Sequence, residues 1–190
     1  MVPVRLLTIS GSLRAGAANT ALLEAAALLA PTGVTVAAYD ELAALPAFNP
    51  DLDLPGVSAL PAAAADLRER VGLADGILIS SPEYAHGIPG AFKNALDWLV
   101  GSVEFPGKPV ALLGASTRAV YVRAQLTEVL TTMSARLVEE ASITVPLPSR
   151  ILDAAAIVAD PKLAGPLRDA VAAFVRAVDS LRAGAAPAWQ

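Results

Sequence analysis

Short apolar runs alternate with helix-forming segments along this chain, and this alternation constrains the fold more than any other feature. Five segments are predicted as strands, most of them short apolar and partly β-branched runs; they cover residues 4–9, 34–36, 76–80, 109–113 and 137–145. Five other segments space their apolar residues along one helix face; they cover residues 18–30, 61–73, a stretch that begins near Pro89, 120–134 and 165–182.

Strands that alternate with helices through short connections predict βαβ units and a parallel sheet with helices on both faces. Right-handed crossovers then favour a doubly wound sheet, and at this size we expect five strands in the order 2-1-3-4-5. The uninterrupted apolar run at 76–80 also indicates a sheet covered on both faces, because a strand buried on both sides does not alternate apolar and polar residues. We predict one domain over residues 1–183 and a frayed tail over residues 184–190.

Charge and composition exclude several functional classes. The net charge is −4 and no cluster of Lys and Arg occurs, so we expect no nucleic-acid partner. The chain has no Cys and one His, His86, which argues against disulfides, thiolate chemistry and a multi-histidine metal site. The most apolar helix is interrupted by Glu24 and ends at Pro31, and the first residues lack the features of a secretory signal. We therefore expect a cytoplasmic protein that makes no membrane contact.

The stretch from Asp40 to Leu60 is the least regular part of the sequence. It contains three prolines and four acidic residues and has no clear periodicity. Long irregular loops are either functional or simply connecting segments. We expect a solvated connection here.

A doubly wound sheet binds its ligand at the carboxyl ends of the strands, near the point where the strand order reverses. Three loops fall there, at residues 10–19, 81–87 and 114–118, and each contains more small and polar residues than a simple turn needs. We expect these loops to form one site.

The first loop has the composition of a phosphate-binding turn. Ser10, Ser12 and Asn19 can donate hydrogen bonds, Arg14 can add a charge-assisted one, and a helix begins directly afterwards. The loop matches neither the P-loop pattern nor the dinucleotide fingerprint. The alternative is a plain strand-to-helix turn, with Asn19 near the start of the helix.

The second loop is stiffened by proline and glycine. Its exposed backbone amides could hold the polar edge of a planar heterocycle, with Tyr84 as an aromatic wall and Glu83 and His86 as polar groups. A catalytic histidine normally needs an orienting partner, and none is evident in the sequence. We therefore expect His86 to shape the pocket; the alternative is a loop histidine that bonds to the backbone.

Both loops resemble those of a known family. Residues 82–98 read Pro-Glu-Tyr-Ala-His-Gly-Ile-Pro-Gly-Ala-Phe-Lys-Asn-Ala-Leu-Asp-Trp, which is similar to the signature of NAD(P)H-dependent FMN reductases, relatives of quinone, azo and chromate reductases with a flavodoxin-like fold. Residues 11–19 resemble that family's phosphate motif. The resemblance implies an FMN site made of Ser10, Ser12, Arg14, Ala17, Ala18 and Asn19 around the phosphate, and Pro82, Glu83, Tyr84, Ala85, His86, Gly87 and Ser116 around the ring.

Two positions and one short segment depart from the family pattern. Ala17 stands where relatives have Ser, which removes a phosphate donor worth about 1 kcal/mol. Ala85 replaces an Asn beside the flavin, and residues 117–120 lack a glycine pair found in many relatives.

The resemblance implies an enzyme that takes a hydride from NADPH or NADH onto bound FMN and passes it to a quinone, a free flavin or a similar acceptor. Because the flavin performs this chemistry, we expect no catalytic side chain and no metal. The alternatives are a non-enzymatic FMN electron carrier, a redox-responsive module, or a relative that has lost FMN. The family also implies a homodimer or homotetramer, with Trp98, Tyr121 and Arg123 as interface residues, although Trp98 fits a plain core position equally well.

Overall fold

The computed structural model describes residues 3–54, 60–148 and 153–184. A five-stranded parallel sheet forms the centre of the fold. The strands lie in the order 2-1-3-4-5, which confirms the predicted doubly wound topology. Their bounds are β1 Val4–Ser10, β2 Val34–Tyr39, β3 Gly76–Ser80, β4 Pro109–Leu112 and β5 Arg136–Leu137.

Helices cover both faces of the sheet. The bounds are α1 Ala18–Leu28, α2 Ala62–Leu73, α3 Gly90–Val100, α4 Val120–Thr132, α5 Ala154–Ala159 and α6 Pro161–Gly184. Helices α1, α5 and α6 bury one face of the sheet, and α2, α3 and α4 bury the other. The five predicted helices are all present, and α5 is an additional one. Within the described residues, no helix has both the length and the apolar character that a membrane span requires.

The fifth strand is shorter than predicted. Only Arg136 and Leu137 pair with β4; a 3-10 turn over Glu139–Ala141 then interrupts the run, and the chain returns as a single bridge between Thr144 and Gly114. A side chain replaces the missing ladder partner, because the Leu112 N–H donates to the Ser142 hydroxyl over 3.0 Å. The strand predicted over 137–145 is therefore reduced to one short paired segment and a single bridge.

The segment after β2 is largely exposed over its described residues 40–54, as expected of a solvated connection, but it is anchored to the protein at several points. Leu42 and Leu45 are buried. Asn94 of α3 accepts a hydrogen bond from the Phe48 N–H and donates one to the Pro46 carbonyl oxygen.

Trp98 completes this attachment. Its indole N–H donates to the same Pro46 oxygen over 2.8 Å, and its ring meets Phe48 edge to face at 5.0 Å. The side chain is fully buried within this chain. Trp98 is therefore a core residue, the alternative that the sequence left open beside an interface role.

An ion pair secures the far end of the same segment. Arg68 of α2 contacts Asp53 at 2.8 Å with both side chains largely buried, and the guanidinium also donates to the Trp98 carbonyl oxygen. A pair this buried depends on such extra hydrogen bonds, because desolvation of the two charges costs several kcal/mol. The result is one bonded unit of the 46–53 segment, α2 and α3.

Tyr39 ends β2 in an unusual environment. Its side chain is buried, and its hydroxyl has no hydrogen-bond partner in the described part of the chain. The Arg70 guanidinium lies 5.8 Å from the ring centroid. Burial, helped by the Asp66 carboxylate, raises the pKa of the phenol to about 12.

We expect Tyr39→Phe to leave the free energy of unfolding at pH 7 unchanged or to raise it by about 1 kcal/mol, since an unsatisfied buried hydroxyl is removed. In the wild type, the folded phenol holds its proton up to about pH 12, whereas the unfolded one loses it near pH 10. The free energy of unfolding should therefore fall as pH rises from about 10 to 12. The part of this fall that is due to the Tyr39 phenol should be absent in the variant.

Urea unfolding at pH 7 and pH 11 measures both effects. Tyr121→Phe, at an exposed tyrosine, serves as the control and should change stability at pH 7 by no more than about 0.5 kcal/mol. A loss of more than 1 kcal/mol in Tyr39→Phe at pH 7 would show that the hydroxyl has a partner after all.

Candidate functional site

The loop after β1 and the loop after β3 touch at Gly11. The Gly11 N–H donates to the Ser80 carbonyl oxygen over 2.8 Å. A Cβ at position 11 would collide with the Ser81 hydroxyl and lie 2.9 Å from the Ser81 Cβ. Only glycine allows this approach, and the approach places the two predicted ligand loops side by side.

Asn19 provides a second link between the same elements. It is buried in the first turn of α1, and its amide donates to the Ser80 hydroxyl over 2.9 Å. Its amide nitrogen is thus engaged with β3, while the residue still lines the cleft described below. The link fixes the start of α1 relative to the sheet.

The first loop is folded by its own serines. The Ser10 and Thr20 hydroxyl oxygens lie 2.8 Å apart, the Ser12 N–H donates to the Ser10 hydroxyl, and the Arg14 N–H donates to the Ser12 hydroxyl. Such short-range bonds shape serine-rich turns. The Arg14 side chain is exposed.

The start of α1 lacks a capping side chain. Ala17 occupies the N-cap position with extended backbone angles and no side-chain hydrogen bond. The first amides of the helix therefore have no side-chain partner at the cap, and a helix start of this kind attracts an anion. An Ala at position 17 therefore leaves the helix without the side-chain cap that a Ser there could provide.

The second loop ends in a two-residue hairpin. The Tyr84 and Gly87 backbones exchange hydrogen bonds of 3.1 and 2.9 Å, and the two residues between them, Ala85 and His86, have φ angles of 48° and 58°. This is the turn geometry that favours Asn-Gly, and the left-handed conformation costs Ala about 1–2 kcal/mol. Asn tolerates this conformation better than Ala does, so the backbone at position 85 suits the Asn that the family resemblance leads one to expect there.

The side chains of Glu83, Gln125 and His86 hold this hairpin against α4. The Glu83 carboxylate accepts hydrogen bonds from the Tyr121 and Val122 N–H groups at 2.8 and 3.0 Å, which caps the helix start. Gln125 donates to the His86 carbonyl oxygen and accepts from the Ile88 N–H. The His86 ring stacks on Tyr121 with centroids 4.2 Å apart.

These loops enclose a cleft of about 410 Å³ at the carboxyl edge of the sheet. Six residues that the sequence predicted for the site line it: Arg14, Ala18, Asn19, Pro82, Glu83 and Ser116. The hairpin residues Tyr84, Ala85, His86 and Gly87 lie beside the cleft rather than in its lining. Ser10 and Ser12 line a neighbouring cleft instead, and Arg14 borders both.

Sequence reasoning missed part of the lining. Leu147 and Pro148 follow the fifth strand and form one wall, and Arg118 contributes a second cation. The paired prolines at 146 and 148, placed after a predicted strand, are a signal that could have indicated a fourth loop at this edge.

The arrangement suits a planar ring that carries an anionic tail. Arg14, Arg118 and the uncapped start of α1 favour negative charge. Pro82, Ala115 and Leu147 offer apolar walls. Most ligand sites combine apolar walls with a few placed polar groups in this way.

The fold and this cleft define a flavodoxin-like α/β protein with an open cleft at the switch point, where sheets of this kind bind their ligands. Residues 4–147 match the model of the family described as NADPH-dependent FMN reductase. The chain belongs to that family, which confirms the predicted resemblance.

Individual relatives agree. The chain is 40% identical over 115 residues to the NAD(P)H-dependent FMN reductase PA1204 of Pseudomonas aeruginosa, a match that covers 60% of each protein. It is 35% identical over 115 residues to a quinone reductase of Escherichia coli K12, again over 60% of each. The matched segments thus span about 60% of these relatives' lengths.

A solved structure covers more of the chain. The flavoenzyme NAD(P)H:(acceptor) oxidoreductase FerB of Paracoccus denitrificans superimposes with a TM-score of 0.75 and is 27% identical. The superposition covers 93% of this chain and 98% of FerB. The flavodoxin-like fold therefore extends beyond the segment that the family model matches.

We expect Ala85→Asn to raise the free energy of unfolding by about 0.5–1 kcal/mol, because Asn tolerates the left-handed conformation that Ala resists. Ala47→Asn is the matched control: position 47 is exposed and has no positive φ, so no gain is expected there. Denaturant midpoints of the FMN-free proteins measure the difference. Equal stability of wild type and Ala85→Asn would mean that the turn imposes no strain.

Proposed function

We propose that this protein is an FMN-dependent NAD(P)H oxidoreductase that reduces a quinone, a free flavin or a similar small acceptor. The observation that carries the proposal is the cleft at the switch point, with an uncapped helix start and Arg14 at one end and the stiff 81–87 loop at the other. Membership of the FMN reductase family supports it.

The residues present fit FMN. Arg14 and the first amides of α1 would hold the phosphate, and Pro82 and Glu83 would border the ring, with Ala115 and Ser116 opposite. FMN held there would supply the hydride-transfer chemistry between NAD(P)H and the acceptor. The chain's own residues would bind the FMN, orient its ring and keep water away from it.

Glu83 and Gln125 act in this scheme by holding the loop in place. Their bonds to α4 and to the hairpin backbone stiffen the 82–88 loop. His86 is turned toward Tyr121, which supports a role in shaping the loop rather than in proton transfer. We therefore assign no catalytic side chain.

The acceptor class is proposed from the relatives. One is named a quinone reductase and another, from Burkholderia, a 2-hydroxy-1,4-benzoquinone reductase that is 36% identical over 120 residues. An open apolar wall beside a flavin suits such planar acceptors. We propose that acceptor and nicotinamide use the same face in turn.

We also propose that the protein forms a homodimer or homotetramer in the cytoplasm. Tyr84, in the hairpin beside the cleft, and Val120 and Tyr121, at the start of α4, are large apolar or aromatic residues that are exposed in this chain; exposed aromatic residues are enriched at interfaces. Sedimentation velocity of the FMN-loaded protein measures the state, and a monomer at all concentrations would contradict this proposal.

Steady-state kinetics test the proposed activity. FMN-loaded protein should oxidise NADPH or NADH in the presence of a soluble quinone, and initial rates at several acceptor concentrations should give parallel double-reciprocal lines, as ping-pong kinetics require. Intersecting lines would contradict the shared face. Flavin that binds but is not reduced by NADPH or NADH would indicate an electron carrier instead.

We expect Arg14→Ala to weaken FMN binding by about 10-fold to 100-fold, the value of a charge-assisted hydrogen bond to phosphate. Arg136→Ala, which removes an exposed arginine from β5 outside the cleft, is the control. Equilibrium dialysis at several FMN concentrations gives both dissociation constants. Equal affinities for the two variants would remove Arg14 from the phosphate site.

A further inference from the structure

The two edges of the sheet differ in how well they are protected from pairing with another chain. β5 is the edge strand on one side; it has only two residues, begins at the exposed Arg136 and is followed by a 3-10 turn. β2 is the edge strand on the other side, and in the described part of the chain it pairs with β1 alone. Short strands, charges, prolines and bulges are the usual means by which an edge is kept from pairing.

None of these protective features occurs in β2. Its sequence, Val-Thr-Val-Ala-Ala-Tyr, contains no charged residue and no proline. Its register with β1 runs without interruption over all six residues, so the strand has no bulge. Thr35, Ala37 and Ala38 are exposed. β2 is therefore an uncharged open edge of six residues, which is the kind of edge that pairs with a further strand.

Alternate residues of β2 direct their backbone groups towards β1 and away from it. The Gly33 carbonyl oxygen accepts a hydrogen bond from the Val4 N–H, and the Ala37 carbonyl oxygen accepts one from the Thr8 hydroxyl. The odd-numbered residues of this strand therefore face β1. The even-numbered residues direct their N–H and C=O groups to the open side.

Three residues of the strand, Val34, Val36 and Ala38, thus present backbone groups at the open edge. The Val34 N–H is already bonded to the Pro31 carbonyl oxygen. No turn in the described part of the chain bonds to the N–H of Val36 or Ala38. Two donors and three carbonyl acceptors are therefore available to a further strand.

We propose that β2 pairs antiparallel with β2 of a second copy of this chain, about a two-fold axis at Val36, so that one sheet runs through both copies. In this register Val36 lies opposite the partner's Val36, and Val34 lies opposite the partner's Ala38, which uses every outward-facing residue of the strand. Four backbone hydrogen bonds would form, two between the Val36 residues and two from an Ala38 N–H to a Val34 carbonyl oxygen.

The charges at the two ends of β2 favour a second copy in this orientation. The exposed Asp40 and Glu41 follow the end of the strand, whereas Arg5 of β1 lies beside Thr35 near its start. The Arg5 side chain is 54% exposed and contacts Asp75 only at 3.7 Å. A two-fold axis brings the acidic end of each strand to the basic start of the other, whereas a parallel pair would bring the two acidic ends together.

A groove beside the same edge adds apolar surface to the contact. It has a volume of about 260 Å³ and is lined by Thr35, Ala37 and the half-exposed Leu73 of α2. In the proposed register Thr35 lies opposite the partner's Ala37, so the Leu73 side chains of both copies lie on the same face of the joined sheet. A pair of six-residue strands is smaller than a standard interface, so we expect a weak and reversible association.

The pairing stops at two copies, because the β5 edge at the far side of each sheet is protected. It is also separate from the exposed residues Tyr84, Val120 and Tyr121 beside the FMN cleft. If both contacts form, their two-fold axes together generate a tetramer. The edge pairing does not depend on flavin chemistry, so it stands or falls independently of the proposed activity.

Amide hydrogen exchange of the FMN-saturated protein, measured by NMR, tests the pairing residue by residue. We expect the Val36 and Ala38 amides to exchange at least about tenfold more slowly at about 1 mM protein than at about 20 µM, because they are bonded only in the pair. The Thr35 amide faces β1 and serves as the control, with the same rate at both concentrations. Equal rates for Val36 and Ala38 at the two concentrations would overturn the proposal.

Charged double variants test the register. Thr35→Lys combined with Ala37→Lys places like charges opposite each other and should weaken self-association, measured by sedimentation velocity, at least about fivefold. Thr35→Lys combined with Ala37→Glu places opposite charges there and should restore the wild-type association. Ala62→Lys combined with Ala65→Lys adds two positive charges at exposed positions of α2 and is the control for net charge.

Positions 35 and 37 lie outside the FMN cleft, so wild-type FMN affinity in the double variants shows that they are folded. A wild-type protein that stays monomeric at every concentration would overturn the pairing. So would a folded Lys–Lys variant that associates as strongly as the wild type, because association would then use another surface. Weak association in both double variants would overturn the register centred on Val36.

Discussion

The close contact between Gly11 and the end of β3 is the constraint on which the cleft depends. The hydrogen bond from Gly11 to Ser80, together with that from Asn19 to the Ser80 hydroxyl, joins the loop after β1, the start of α1 and the loop after β3. A side chain at position 11 would meet Ser81 before these bonds could form. These contacts hold the start of α1 and the loop after β3 side by side at the edge of the cleft.

The other side of the cleft depends on α4. Glu83 accepts hydrogen bonds from the first amides of α4. In return, Gln125 of α4 accepts one from the Ile88 amide of the loop. The arrangement places the one histidine of the chain against Tyr121. The left-handed backbone at Ala85 and the missing side-chain cap at Ala17 both lower the stability of the protein locally at this edge of the sheet. Unfavourable local geometry of this kind is common at functional sites.

The strand order and the three main loops could be predicted because they follow from local patterns: apolar runs, helix spacing and small residues after each strand. The anchoring of the segment at 42–54 could not be predicted, because it depends on Asn94 and Trp98, which lie about 50 residues away in sequence. The break in the fifth strand depends likewise on one serine, Ser142, that replaces a backbone partner. The predicted role of Trp98 at an interface had the same weakness, because residue type alone cannot distinguish core from surface.

The site was predicted in outline for a related reason. Arg14, Asn19, Pro82, Glu83 and Ser116 lie in loops that the topology brings together, and they do line the cleft. The position of Leu147 was missed because it depends on how closely the chain after β5 approaches the other loops. The neighbouring cleft was missed because it depends on the spacing between α1 and the edge strand β2. Those distances are properties of the packed sheet.

The FMN dissociation constant of Gly11→Ala tests the central claim most directly. Gly90→Ala is the comparison, because a Cβ at position 90 meets nothing within 4 Å. Overpacking at position 11 should cost about 1–3 kcal/mol and displace one loop, so we expect a folded protein that binds FMN at least about tenfold more weakly than Gly90→Ala. Equal FMN affinity in the two variants would contradict the claim that the Gly11 contact sets the cleft.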